Sequence, residues 1–290
     1  MSATSLTWGG RSIPAPGGLP AVAVSLTGPS LAQARSQARS AVDAGADVLE
    51  LRVDLLEETG ALATPEPLDA ATAAAQVLEC LRGLGEIIAA DGADAGAGAP
   101  LLLTCRTAAE GGRARLDDTA YAALLRSVLD GLTDWTPERR PAAIDVEVQR
   151  GCLPQICAQA HALDIDVVAS FHDFEATPAD EALEEVLARM AREGADLAKI
   201  AVWPTTADDV ARLLGVCARA TAGAGEGADL GVPVAAMSMG ALGAVSRVAP
   251  AFGSALTFAV VPDEQGQSRA SAPGQLPLQD VRRCLELLRA

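Results

Sequence analysis

The sequence predicts an α/β fold: a single domain, residues 1–290, built as a closed (β/α)8 barrel. Eight short β-like runs recur along the chain, and helix-like stretches rich in Ala, Leu, Arg and Glu separate most of them. Such alternation is typical of a parallel sheet that is covered by helices. The length of 290 residues suits a closed barrel, which commonly takes about 250. An open doubly wound sheet would usually carry a GxGxxG loop in its first βα turn, and this sequence has none there.

The predicted elements follow one another in a regular order. A hairpin is predicted within residues 1–15, where Gly9 and Gly10 separate the SLTW and RSI runs, and we expect it to cap one end of the barrel. Strands are predicted at 20–26, 47–55, 100–106, 142–148, 166–174, 196–204, 233–240 and 255–261. Helices are predicted at 30–44, 119–131, 152–163, 178–193, 206–220 and 277–289. The stretches 89–99 and 263–270 are predicted to be loops.

Capping residues support several of the helix boundaries. Thr177 followed by Pro178, and Thr206 followed by two aspartates, are typical of helix starts. Gly45 and Gly194 lie where helices are expected to end, because glycine readily adopts the left-handed conformation that closes a helix.

Composition and charge disfavour several classes of function. The 38 acidic residues outnumber the 22 basic ones, and Lys and Arg do not cluster, so we expect no nucleic-acid partner. No apolar run is long enough to span a membrane, and the N-terminus lacks the pattern of a signal peptide. We therefore expect a cytoplasmic protein without a membrane partner. Six cysteines without a CxxC pair, and only two histidines, predict free thiols and no metal site.

Charged side chains alternate with apolar ones along the predicted strands. Glu50, Arg52 and Asp54 share one face of the second strand, and Asp145 and Glu147 share one face of the fourth. The third strand ends with Thr104 and Arg106 on one face. An exposed antiparallel sheet would give the same pattern. In a barrel, however, helices cover the outside, so these charges would point inward, where they must pair or bind a polar ligand. We expect a polar barrel mouth suited to a small hydroxylated anion.

Lys199 is the only lysine in the sequence, beside 21 arginines. It lies in an apolar run that predicts a buried strand, and His172 ends the preceding strand. Parallel neighbours lie about 5 Å apart, so both side chains can reach one point above the barrel. A neutral lysine amine can attack a carbonyl, and a histidine can move the protons that imine chemistry requires. Two alternatives are that Lys199 occurs by chance in a sequence whose other basic residues are arginines, and that His172 merely caps the next helix.

Eight ordered motifs resemble those of one known family. They are LELRVD (49–54), TCRTAAEGG (104–112), IDVEV (144–148), SFHDFEATP (170–178), GADLAKIAVWPTTADDV (194–210), MSMGALGAVSR (237–247), FGSALTF (252–258) and SAPGQ (271–275). In these motifs, over nearly its whole length, the sequence closely resembles type I 3-dehydroquinate dehydratases of the shikimate pathway.

The resemblance implies a syn elimination of water from 3-dehydroquinate to 3-dehydroshikimate, without cofactor or metal. It implies that Lys199 forms an imine with the C3 ketone, that His172 is the general acid and base, and that Glu110 orients or tunes His172. It also implies that Arg247 clamps the substrate carboxylate. Further substrate contacts are implied for Glu50, Arg52, Arg106, Ser271, Gln275 and Ser25, with Ser25 and Asp54 as weaker correspondences. Nearby arginine charges are expected to favour the neutral amine of the lysine, and a homodimer is expected.

Two alternatives and some departures from the family remain. Another class I lysine-imine barrel enzyme, such as an aldolase, would carry a phosphate site after strands seven and eight; Arg247 and SAPGQ stand there instead. A non-catalytic small-molecule-binding barrel is the other alternative. The chain is longer than is usual in the family, with additional residues around 60–99 and 262–270. The second of these stretches adjoins the SAPGQ loop, where it could alter lid closure.

Overall fold

The computed structural model describes residues 5–15, 17–64, 67–88, 98–222, 230–262 and 269–289. Its strands are β1 (Leu6–Trp8), β2 (Arg11–Ile13), β3 (Ala21–Leu26), β4 (Val48–Arg52), β5 (Leu101–Thr104), β6 (Ala143–Glu147), β7 (Asp166–Asp173), β8 (Leu197–Val202), β9 (Val234–Ser238), β10 (Leu256–Val260) and β11 (Leu276–Pro277). Its helices are α1 (Leu31–Asp43), α2 (Ala70–Ile88), α3 (Asp118–Gly131), α4 (Leu153–His161), α5 (Asp180–Arg192), α6 (Ala207–Thr221), α7 (Gly240–Gly243) and α8 (Leu278–Leu287). Short 3-10 turns follow several of the strands.

Eight parallel strands curl into a barrel in the order β10-β3-β4-β5-β6-β7-β8-β9. At the two ends of this row, the amide of Ala255 before β10 donates to the carbonyl of Val234 in β9 over 2.7 Å. The predicted (β/α)8 barrel is therefore confirmed. One strand was not predicted: β11 adds two residues to the outer side of β10, directly before α8.

The N-terminal hairpin of β1 and β2 closes the end of the barrel at which the strands begin. Its two strands pair antiparallel, and both Gly9 and Gly10 have positive φ in the turn. Trp8 and Ile13 are buried in the same apolar cluster as barrel residues such as Val168. The indole nitrogen of Trp8 also donates to the carboxylate of Asp166, at the start of β7, over 2.7 Å. The predicted capping hairpin is confirmed.

Helix ends agree with the sequence signals in most places. Thr206 and Asp209 form a complete capping box at the start of α6, and Gly45 and Gly194 have positive φ just after α1 and α5. The predicted start of α5 at Thr177 is wrong. The helix begins at Asp180, because the hydroxyl of Thr177 donates to the carbonyl of Trp203 rather than to its own helix.

The additional residues in the second βα unit contain a full helix. We predicted extra material over 60–99, and most of its centre is α2, whose residues Val77, Leu81 and Leu84 are buried in the outer core. The predicted loops lie largely outside the described residues, at 89–97 and 263–268.

The two faces of the strands separate the core into two layers. Apolar side chains such as Leu49, Leu51 and Val146 face outward and pack in one cluster with the helices. Charged residues of the same strands, including Glu50, Asp145 and Glu147, are buried as well, and their contacts lie inside the barrel. The predicted alternation thus places charge in the interior. In the part of the chain that the structure describes, no helix is long and apolar enough to cross a membrane.

Candidate active site

A cavity of about 470 Å³, its open mouth included, lies at the ends of the barrel strands. Nine of the eleven residues that the resemblance assigns to the site line it: Glu50, Arg52, Arg106, Glu110, His172, Lys199, Arg247, Ser271 and Gln275. Of the other two, Ser25 lies just behind them, where its hydroxyl group contacts both Glu50 and Ser271, and Asp54 contacts Arg52. The side chains arrive from strands that are distant in sequence, as active sites of this architecture require.

Lys199 lies on β8 with its side chain buried, and only 4% of the residue is exposed. Its amine nitrogen Nζ is 3.3 Å from Asp145 Oδ2 and 3.8 Å from Glu50 Oε1. The ring of Phe258 lies below it, with the centroid 4.6 Å from Nζ. Two carboxylates therefore lie beside the amine, and the expected arginines, Arg52, Arg106 and Arg247, line the same cavity.

His172 and Glu110 form a buried pair beside Lys199. The ring nitrogen Nδ1 of His172 is 2.8 Å from Glu110 Oε2, which leaves Nε2 for a ligand. Burial, together with the charges of Arg106, Lys199 and Arg52, holds the pKa of His172 well below its usual value. Burial raises the pKa of Glu110 to about 8, although the charge of Arg106 opposes this. A buried pair of this kind holds and releases protons as a unit, which is the property that acid-base catalysis needs.

Backbone geometry fixes Glu110 in place. It ends a 3-10 turn, Ala108–Glu110, that follows β5, and Gly111 closes the turn with φ of 80°. The amides of Glu110 and Gly112 both donate to the carbonyl of Thr107, over 3.0 and 2.8 Å. The second carboxyl oxygen of Glu110, Oε1, is buried without a hydrogen-bond partner among the described residues.

Arg106 is the centre of a fully buried hydrogen-bond network. Its guanidinium donates to Asp145 over 2.7 Å and to Ser170 over 2.8 Å. It reaches Glu147 at 3.2 Å and Glu110 at 3.4 Å. These carboxylates hold the pKa of Arg106 well above its usual value despite burial. With this many partners, the guanidinium has little freedom to reorient.

Arg52 has its own carboxylate partner. Its guanidinium makes two hydrogen bonds of 2.8 Å to Asp54, a bidentate contact of the strong kind. We predicted Asp54 on the same strand face, but β4 ends at Arg52 and Asp54 lies in the 3-10 turn beyond it. There Asp54 also accepts the backbone amides of Arg106 and Arg113, over 3.2 and 3.1 Å.

Arg247 differs from the other two arginines because no carboxylate of the described residues neutralises it. It is buried in the turn after β9, where it donates to the carbonyls of Phe258 over 3.4 Å and Pro273 over 3.1 Å. Its Nε has no partner among the described residues, and burial lowers its pKa to about 10. A buried, unneutralised guanidinium is a favourable place for an anionic ligand.

The loop that carries Ser271 and Gln275 closes one side of the cavity. Ser271 Oγ donates to Ser25 Oγ over 2.8 Å, and the side chain of Gln275 bonds both the hydroxyl and the amide of Ser271 over 3.0 Å. Ser25 in turn donates to Glu50, so this loop is linked to the barrel interior by hydroxyl groups.

The remaining lining residues were not singled out from the sequence: Gly111, Phe174, Ala201, Met237, Phe258 and Ala272. Phe174 lies nearly parallel to the ring of His172, with 6.5 Å between centroids. Alternation along the strands could have indicated Phe258, whereas no sequence signal separates Met237 from core residues. In the described residues, no group of His, Cys, Asp or Glu is arranged to hold a metal ion, and all six cysteines are free.

Comparison with known proteins identifies the family. The sequence matches the type I 3-dehydroquinase family over residues 22–290. It is 38% identical to the 3-dehydroquinate dehydratase of Lactiplantibacillus plantarum and 37% identical to that of Salmonella agona, each over 276 residues that cover 93% of this chain and 93% and 94% of theirs.

Solved structures agree with the sequence relatives. The 3-dehydroquinate dehydratase of Geobacillus kaustophilus superposes with a TM-score of 0.78 at 27% identity, covering 98% of this chain and 96% of the other. The type I enzyme of Clostridium difficile, solved with covalently modified comenic acid, gives 0.78 and 27%, covering 99% and 98%. The chain therefore belongs to the type I 3-dehydroquinase family, and it is a hydro-lyase of the shikimate pathway.

Proposed function

We propose that this chain dehydrates 3-dehydroquinate through an imine on Lys199. The amine attacks the C3 ketone, water leaves from the adduct, and a protonated imine forms. His172 removes the C2 proton, the electrons move into an enamine, and the C1 hydroxyl leaves as water with a proton from His172. Hydrolysis of the imine then releases 3-dehydroshikimate. The observation that carries this proposal is that Lys199, the His172–Glu110 pair and the unneutralised Arg247 all line one buried cavity.

The lowered pKa of His172 supports its role as the base. A histidine whose pKa lies well below the usual range is neutral at physiological pH, so it can accept a proton. Glu110 contacts Nδ1, which orients the ring and leaves Nε2 directed at the substrate. Since burial raises the pKa of Glu110 to about 8, the pair can also store the proton that the leaving hydroxyl needs.

Charge complementarity supports the proposed binding mode. The carboxylate of the substrate would neutralise Arg247, whose planar guanidinium suits a bidentate contact. The substrate hydroxyls would meet Glu50, Arg52 and Arg106 on the barrel side. Ser271 and Gln275 would meet the substrate from the loop side, and Ser25 would support this contact from the barrel, because the three side chains already form one chain of hydrogen bonds.

Trapping with borohydride tests the proposed mechanism. Incubation with 3-dehydroquinate and borohydride should add one substrate- or product-derived mass to the protein, and peptide mapping should locate it on Lys199. The Lys199→Arg variant is the control, because it keeps the positive charge without the nucleophile. An active wild-type enzyme that gains no adduct would refute the imine. The covalently modified comenic acid in the Clostridium difficile structure supports the expectation of covalent chemistry in this fold.

We further propose a cytoplasmic homodimer that needs no cofactor, as the family resemblance implies. Sedimentation equilibrium tests the assembly state, and full activity after exhaustive dialysis against a chelator tests the absence of a required metal.

A further inference from the structure

We infer that Asp145 is the counter-ion of the reacting nitrogen: its carboxylate holds Lys199 Nζ in place and keeps the imine protonated while the C2 proton is removed. This role, which rests on the proposed imine mechanism, falls to a residue that is not among the described residues lining the cavity. It would therefore act on the substrate only through Lys199.

The two oxygens of Asp145 have separate partners. Asp145 is fully buried on β6, and its Oδ1 accepts hydrogen bonds from Ser170 over 2.6 Å and from Arg106 over 2.7 Å. Its Oδ2 is directed at Lys199 Nζ, 3.3 Å away. The contacts of Oδ1 fix the carboxylate, so its second oxygen presents a negative charge at one position in the barrel.

The neighbouring carboxylates are less suited to this role. Glu50 Oε1 is farther from Nζ, at 3.8 Å, and the Glu50 carboxylate accepts hydrogen bonds from Thr104 and Ser25 as well. Glu110 faces His172, and burial raises its pKa to about 8, which disfavours its charged form. Asp145, in contrast, has a lowered pKa despite burial, because Arg106, Lys199 and Ser170 all favour its charged form.

Arg106 does not fully neutralise the negative charge of Asp145. Its guanidinium also contacts Glu147 at 3.2 Å, so a second buried carboxylate shares its neutralisation. The other charged or titratable groups that face Lys199 and Asp145 come from β4, β7, α3 and the turns after β5 and β9: Glu50, Arg52, His172, Tyr121, Glu110 and Arg247. All of them are shared by the variants compared below.

Protonation of the imine is essential for the elimination, because only the charged nitrogen withdraws the electrons of the C2–H bond effectively. An opposite charge within about 4 to 6 Å typically moves a titration by about 1 to 3 pH units. Removing the charge of Asp145 should therefore let the imine lose its proton at lower pH, while imine formation itself persists.

The single lysine of this chain allows a direct measurement. Lysine labelled with 15N at Nζ marks only Lys199 among the side chains, so its NMR signal needs no assignment. The enzyme is saturated with 3-dehydroshikimate, and the imine signal is followed against pH in wild type, Asp145→Asn and Glu147→Gln. Glu147 is the matched control, because it is equally buried and bonded to Arg106 without an ion pair to Lys199.

In Asp145→Asn the imine should deprotonate about 1 to 3 pH units lower than in wild type, and kcat should fall at least about tenfold with a smaller change in KM. In Glu147→Gln the imine titration should stay near that of wild type. Equal titrations in wild type and Asp145→Asn, or an equal shift in Glu147→Gln, would overturn the role of Asp145. If Asp145→Asn does not fold, a wild-type imine that is already neutral at the pH of maximal turnover overturns it. Absence of any imine in wild type would instead refute the proposed function.

Discussion

Replacing Arg247 by Met should stabilise the free protein and at the same time abolish efficient substrate binding. Arg247 is buried, and among the described residues it has no carboxylate partner. A charge removed from water without a counter-ion lowers stability, and a ligand that supplies the counter-ion recovers that loss. Met has similar length and no charge, so it can fill the same space.

The magnitude follows from the lowered pKa of Arg247. Burial lowers this pKa to about 10, and each pKa unit below the usual arginine value corresponds to about 1.4 kcal/mol, so the buried charge costs about 3 kcal/mol at neutral pH. The variant loses two hydrogen bonds to the carbonyls of Phe258 and Pro273, which at 3.4 and 3.1 Å are long and therefore worth only about 1 kcal/mol each. The free energy of unfolding should therefore rise by about 1 kcal/mol. Two charge-assisted hydrogen bonds to the substrate carboxylate are worth about 3 to 6 kcal/mol together, so KM should rise by about 10² or more.

The assay is urea unfolding of both proteins without ligand, together with steady-state kinetics. Arg52→Met is the matched control, because Arg52 has a bidentate partner in Asp54. Removing Arg52 leaves that carboxylate buried without its cation, which should lower the free energy of unfolding by about 3 kcal/mol. The same chemical change should thus have opposite signs at the two positions. A less stable Arg247→Met, or an unchanged KM, would show that Arg247 is a structural residue.

Three further variants test the acid-base and covalent roles. Lys199→Arg should fold but lose turnover, since the guanidinium cannot attack a carbonyl, and turnover within about tenfold of wild type would contradict the imine. His172→Ala should slow turnover by about 10² to 10⁴ and still gain an adduct with dehydroquinate and borohydride; unaffected turnover would shift the base role to Glu110. As the pH rises from about 4.5 to about 8, the free energy of unfolding should fall less in Glu110→Gln than in wild type. Urea unfolding midpoints of both proteins at the two ends of this range would show the difference. The folded wild type binds a proton there that the unfolded chain has released, so its stability falls across that window.

Much of the fold and of the site could be predicted because both follow from strand periodicity. Alternation along a strand decides which side chains share a face, and the carboxyl ends of neighbouring parallel strands meet at one rim. Glu50, Lys199 and His172 are therefore brought to one cavity by positions that can be counted in the sequence. The hairpin was visible for a similar reason, since two glycines separate two short β-like runs.

Pairing between charges could not be predicted in the same way. Arg52 and Arg106 lie on equivalent faces of neighbouring units, yet one takes a single partner two residues ahead and the other takes several from different strands. Which carboxylate reaches which guanidinium depends on side-chain rotamers and on where each strand ends, as the position of Asp54 beyond β4 shows. The same limit explains why the sequence did not indicate which carboxylates lie beside Lys199.

The distribution of charge inside the barrel makes different parts of the cavity unequal in charge. Arg52 is paired with Asp54, and Arg106 and Lys199 are paired with other carboxylates. The positive charges around the amine are therefore neutralised by the protein itself. Arg247, which lines the same cavity, has no carboxylate partner among the described residues. On the proposed function, an anionic substrate would complete the charge balance only when its carboxylate lies at Arg247, and this fixes the end of the molecule that faces Lys199. A substrate analogue without the carboxylate should consequently lose orientation as well as affinity, because nothing else in the described cavity distinguishes its two ends by charge.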